Sequence, residues 1–193
     1  MLGMTACQKS ESFDAVSGDV DITVSTSLPA QMDQTRAAGD GTTVNRCIME
    51  IYLDGELYGE RQVAAVENLS ATFSVRLVAG KTFDLVFWAD KSGADINTDL
   101  HYNTADLANV AFTGDYIGND DARDAFFGTA QVAAGESQAV NVELRRPFGQ
   151  LNVKTLDMAE VAAASAALVP SKVKIAFDEV PTGINLLTGE LTG

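Results

Sequence analysis

Apolar and polar residues alternate with period two through several short runs of this chain, each bounded by glycine, proline, asparagine or aspartate. That pattern predicts strands with one face in a core and the other in solvent. Val20, Ile22 and Val24 alternate with Asp19, Asp21, Thr23 and Ser25, so a first strand should run from Asp19 to about Leu28, where Pro29 stops it. Cys47, Met49, Ile51 and Leu53 alternate with Arg46, Glu50, Tyr52 and Asp54, and Asp54-Gly55 supplies the positive φ angles of a tight hairpin turn into a returning strand from Leu57 to Val66. Ala71, Phe73, Val75 and Leu77 mark another strand; Ala79-Gly80-Lys81 then turns the chain into Thr82–Trp88, which is apolar on both faces near its end and so belongs in the middle of a sheet.

The periodicity weakens between Asp90 and Gly135, where Gly, Asn and Asp crowd the chain; this region reads as an elaborated connection. Within it His101-Tyr102 forms a short strand, and Ala125-Phe126-Phe127-Gly128 is expected to plug the core from a loop. Strands resume at Ala139–Leu144 and Gly149–Lys154, flanking Arg145-Arg146-Pro147-Phe148, where proline marks a strand break or a crossing between sheets. Asp157-Met158-Ala159-Glu160 has the spacing of a capping box, and the alanine-rich run to Leu168 predicts one short helix ended by Pro170. Val173, Ile175 and Phe177 predict a late strand, after which Pro181-Thr182-Gly183 turns into Ile184–Leu187.

Roughly seven to nine short strands need two facing sheets to bury their apolar faces, so the expected fold is mostly β, a two-sheet antiparallel β-sandwich of Greek-key or transthyretin-like type with one short helix. Hydrophobic residues make up 46% of 193, ample for one core, and no run approaches the length of a membrane-spanning helix. The net charge of −14, from 27 acidic and 13 basic residues, repels a phosphate backbone, so nucleic acid is not an expected partner. The same charge serves solubility outside the cell.

Catalytic chemistry finds little to work with, and the chain reads as a non-enzyme that requires no cofactor or metal. His101 is the sole histidine and its neighbours match no nucleophile pattern, while two distant cysteines supply no zinc site. Gly114-Asp115-Tyr116-Ile117-Gly118 is not a phosphate loop. Asp115, Asn119, Asp120, Asp121 and Asp124 lack the spacing of a calcium loop and read as a solvated segment. Tyr52, Tyr58, Trp88, Tyr102 and Tyr116 could stack sugars if exposed together; Tyr52 and Tyr58 are expected to face outward and Trp88 inward. Cys47, inside an apolar run, reads as a small buried core residue.

Two segments carry processing signals. Met4-Thr5-Ala6-Cys7 has the small residues that precede the cysteine of a bacterial lipoprotein signal, making Cys7 the lipidation site. Only six residues precede Cys7, fewer than a charged start plus an apolar segment of roughly 7–15 residues. The start therefore reads as a clipped signal, with 1–18 forming its end and a polar, acidic tether, and 19–193 forming one sandwich domain. Gln34–Thr43 is a polar, glycine-bearing stretch in which Arg36-Ala37 offers a cut to a protease specific for arginine.

A lipidated cysteine, an acidic tether, one amphipathic strand, an arginine-alanine loop and then a sandwich form an order that resembles the fimbrillin-like lipoproteins building type V pili of anaerobic diderm bacteria. Cys47–Tyr52, Asp84–Asp90, Arg123–Gly128 and Arg145–Leu151 resemble stretches of the N-terminal domain of those proteins. The resemblance implies a pilus subunit or pilus-associated lipoprotein held in the outer membrane by lipid on Cys7, at the cell surface. It also implies that proteolysis between Arg36 and Ala37 removes the strand bearing Val20, Ile22, Val24 and Leu28, whose place a donor strand from another subunit takes. A second sandwich domain, usual in such pilins, lies outside this sequence. The alternative expectation is a surface glycan-binding or adhesive lipoprotein that engages a host or bacterial surface ligand through exposed aromatic residues.

Overall fold

The computed structural model describes residues 18–29, 41–115, 120–149, 156–170 and 174–193. Its strands are β1 (Asp19–Ser27), β2 (Arg46–Leu53), β3 (Glu56–Leu57), β4 (Gln62–Ala65), β5 (Ser70–Val78), β6 (Thr82–Asp90), β7 (Tyr102–Asn103), β8 (Val110–Phe112), β9 (Phe126–Ala133), β10 (Gln138–Glu143), β11 (Gly183–Ile184) and β12 (Leu191–Thr192). One α-helix, α1 (Met158–Ala164), and three 3-10 turns complete the described elements. The mostly β sandwich expected from the alternation is the fold observed.

Three sheets make three layers. The first runs in the order β10-β1-β5, the second is β3-β2-β6-β9 with β4 also on β2, and the third is β12-β11-β8-β7. The core between the first and second sheets is built by the inward positions of the alternation: Ile22 and Val24 of β1, Phe73 and Leu77 of β5, Cys47 and Met49 of β2, and Phe83, Leu85 and Phe87 of β6. β6 pairs with both β2 and β9, the central place its apolar run demanded.

The third layer is what the alternation did not announce. Ile48, Tyr52, Val86, Trp88 and Phe127 point from the second sheet away from the first, and Tyr102, Leu107, Val110, Ile184 and Leu186 cover them. Consequently Arg46, Glu50 and Tyr52, expected to face solvent, are buried. Burying those charges requires partners. Arg46 donates to both oxygens of Asp90, at 2.5 and 3.0 Å, and to Asp99 at 2.8 Å. Glu50 accepts from Tyr52 Oη at 2.6 Å, from the backbone N–H of Leu107 at 3.2 Å and from Arg61.

Other departures have local causes. The returning strand from Leu57 to Val66 is split into β3 and β4, with Gly59 at φ +75° between them. Phe126, Phe127 and Gly128 do not plug the core from a loop; they open β9, sending Phe126 into one core and Phe127 into the other. Asp157 caps α1 without a side-chain hydrogen bond, so the capping box is not made. Residues 174–177 form no strand, and Ile175 and Phe177 stand exposed, so the late strand is not realised in its described part. The Gly149–Lys154 strand falls almost wholly outside the described residues; Gly149 itself is not in a strand. Arg145 does mark a crossing: after β10 in the first sheet it exchanges two backbone hydrogen bonds with Phe127 of the second, each 2.8 Å.

Candidate functional site

The first sheet contains the candidate site, the slot occupied by β1. β1 is the middle strand: nine residues, Asp19–Ser27, pair antiparallel with β5, and six, Ile22–Ser27, pair parallel with β10. The parallel pair arises because β1 and β10 start at the same end of the sandwich. There Ala79 donates to Gly18 O at 2.8 Å and Asp21 donates to Ser137 Oγ at 3.2 Å. Backbone bonds also secure the far end, from Leu28 to Leu69 O and from Leu144 to Ser27 O, both 2.8 Å.

Val20, Ile22, Val24 and Leu28, named from sequence as the removable set, are all buried in the core. Thr26 completes the row at the same period and is fully buried; its hydroxyl donates to Ala71 O at 3.2 Å and lies 3.9 Å from Cys47 Sγ. The unbroken spacing 20, 22, 24, 26, 28 is the signal that places Thr26 inward. Cys47 is a free, buried thiol beneath β1, and burial pushes it up to about 12 against the weaker pull of the Thr26 hydrogen bond. On the other face, Asp19, Asp21 and Thr23 are exposed, with Arg76 paired to Asp21 at 3.0 Å.

Arg36 and Ala37 lie outside the described residues, as does Cys7. The anchorage of their connection is visible. Gly41, at φ +69°, packs so closely on Leu28 that a Cβ there would meet Leu28 Cδ2 at 2.9 Å. The chain therefore leaves the core after Leu28 and re-enters it beside the same residue. From Gly41 onward it is fixed: Thr43 Oγ1 donates to Asp121 O at 2.7 Å. Nearby, the buried carboxyl of Asp124 is pushed up by desolvation while Arg146, 2.7 Å away, opposes the shift.

The aromatic platform does not form among the described residues. Tyr52, Trp88 and Tyr102 are buried, and Tyr58 packs on Phe83 with ring centroids 4.9 Å apart; Tyr116 lies outside the described residues. Tyr52 and Tyr58 are the corrections here: Tyr52 faces outward from its sheet but lies under the third layer, and Tyr58 is half-buried against the first core instead of facing outward. Burial and the hydrogen bond to Glu50 raise its phenol. His101 sits beside Arg123, and burial, reinforced by that charge, lowers its pKa. In the acidic stretch, Asp120 caps the 3-10 turn Asp121–Arg123 through Ala122 N at 3.1 Å; Asn119 lies outside the described residues.

A family model described as a family of unknown function, DUF6562, matches residues 13–193. No curated protein matches the chain. Among solved structures, the chain is similar to a DUF1812 protein of Bacteroides thetaiotaomicron, described as a candidate polysaccharide binder, at 14% identity and TM-score 0.44, over 66% of this chain and 47% of that one. It is also similar to a fimbrial assembly protein of Parabacteroides distasonis at 14% identity and TM-score 0.35, over 68% of this chain and 53% of the other. The chain spans about half the length of each of these two structures.

Proposed function

Starting from a chain that belongs to the DUF6562 family of unknown function, we propose a structural, non-enzymatic role: a fimbrial subunit or pilus-associated surface lipoprotein, anchored in the outer membrane through lipid on Cys7, that assembles by β-strand exchange. The observation that carries this reading is the placement of β1. It is the first strand in chain order among the described residues, so one cut in the connection between Pro29 and Gly41, where Arg36-Ala37 lies, leaves it held by non-covalent contacts alone. Its departure would expose the facing edges of β5 and β10 and a trough floored by Cys47 of the second sheet and flanked by Phe73 of β5. Unpaired backbone groups on both sides of an apolar trough are a template for an incoming strand. Val20, Ile22, Val24 and Leu28 set the size of the vacancy, on the order of 6–12 kcal/mol of apolar burial that a donor strand could recover.

Cys47 provides the test, because its thiol lies under β1. In a Cys7→Ser background, protein cleaved after Arg36 and confirmed by mass is placed in mild denaturant with a thiol reagent. The expected result is release of the N-terminal peptide and labelling of Cys47, with multimers growing when a parallel sample without the reagent is returned to buffer. Retention of the peptide through mild denaturant with no multimer at any concentration would overturn strand exchange.

A further inference from the structure

A second feature lies on the opposite side of the second sheet and is independent of the β1 slot. β6 and β9 present Asp84 beside Gln131 and Val86 beside Thr129, paired in register across the two strands. These four, with Ala130 and Leu187, line an open cleft of about 250 Å³. Leu187 is its wall: Asn185 Oδ1 accepts from the backbone N–H groups of Leu187 at 2.9 Å and Thr188 at 3.0 Å, and Asn185 N donates to Glu190 O at 2.8 Å. Gln131 Nε2 donates to Asp84 Oδ1 at 3.0 Å, which fixes both side chains. The pair retains a carboxylate oxygen, an amide carbonyl and a second amide N–H as bonding capacity, and Thr129 adds a hydroxyl that both donates and accepts.

We infer that this cleft binds one ring of a neutral hexopyranoside. Vicinal sugar hydroxyls, each both donor and acceptor, match a carboxylate beside a primary amide and a hydroxyl, while the half-buried Leu187 at the cleft wall takes the apolar C–H face of the ring. The volume lies just below the roughly 300–1,000 Å³ of ordinary ligand sites, which suits a single ring. Asp84 and the net charge of −14 select against an anionic sugar. The site needs no aromatic platform, and it stands or falls separately from strand exchange.

The test is an amide NMR titration of the full chain with methyl β-glucopyranoside, methyl β-galactopyranoside and glucuronate in the millimolar range. A neutral glycoside is expected to shift the amides of Asp84, Val86, Thr129, Gln131 and Leu187. Gln131→Ala and Thr129→Ala, both at exposed positions, are each expected to weaken binding about tenfold by removing hydrogen bonds, whereas Thr72→Ala on the far sheet leaves it unchanged. Unshifted amides with both neutral glycosides, a response to glucuronate alone, or equal binding by Gln131→Ala and the parent would each overturn the assignment.

Discussion

Ile22 and Thr23 are neighbours on β1 with opposite surroundings, and truncating each in turn measures how firmly the strand is seated. Ile22 is 1% exposed, whereas Thr23 is exposed on the outer face between Ser74 and Ala139. Ile22→Ala deletes three carbons, about 2.4 kcal/mol of transfer free energy at about 0.8 kcal/mol per carbon, and leaves a cavity. The expected total is about 2–4 kcal/mol. In the intact chain this appears as a lower urea midpoint with an unchanged slope. In protein cut after Arg36 the same loss falls on retention of the N-terminal peptide, weakening it about 30- to 700-fold. Thr23→Ala is expected to change either quantity by no more than about 0.5 kcal/mol. Equal effects of the two substitutions, or an Ile22→Ala cost below about 1 kcal/mol, would refute β1 as the strand that fills this core.

Three further outcomes follow from the same geometry. The unfolded thiol of Cys47 ionises near 9 while the folded one keeps its proton to about 12, so its contribution to stability is complete below pH 9 and is lost as the pH rises through 12. Urea titrations should therefore show the stability difference between parent and Cys47→Ala falling across that window, by on the order of 4 kcal/mol; a pH-independent difference refutes burial of the thiol. Gly128→Ala would place a Cβ 2.7 Å from Leu144 Cδ2 and 3.1 Å from Val142 Cγ1, and is expected to lower stability by about 1–3 kcal/mol, read as a lower midpoint. Glu50→Ala orphans the N–H of Leu107, the Tyr52 hydroxyl and the charge of Arg61, at a cost of about 3–5 kcal/mol; hydrogen exchange at Leu107 should accelerate in step.

How much of this was legible in the sequence depends on which faces water touches. Where one face meets a core and the other meets solvent, as in β1 and β5, the alternation names the apolar inward residues, and only the continued period, not its own polarity, marks Thr26 as one more. β2 broke that rule. Its outward set, Arg46, Ile48, Glu50 and Tyr52, is as buried as its inward set, because the third layer is assembled from β7, β8, β11 and β12, strands of two or three residues that are too short to show a period. The parallel pairing of β1 with β10 was equally silent, since it joins strands more than a hundred residues apart and alternation carries no information about partners. Asp54-Gly55 was legible because its demand is local: φ is +53° and +85°, as a tight turn requires. The cleft at Asp84 and Gln131 was hidden for the opposite reason, being a product of cross-strand register alone.

The division of the interior into two clusters bears directly on what strand removal would cost. β1 contributes to the cluster between the first and second sheets and to none of the second cluster, whose members come from β2, β6, β9 and the third layer. The ionic contacts differ in the same sense. Arg46 with Asp90 and Asp99, and Glu50 with Arg61, are held within the second sheet and its far side, whereas the ion pair on β1 itself, Asp21 with Arg76, is exposed and of the kind that contributes little. Withdrawal of β1 would therefore leave the packing between the second and third layers and the buried charges intact, with the loss confined to one apolar trough and two strand edges. A strand that replaced β1 in the same direction and register would present apolar side chains at the positions of Val20, Ile22, Val24 and Leu28 and a small polar one at that of Thr26, whose hydroxyl donates to Ala71 O.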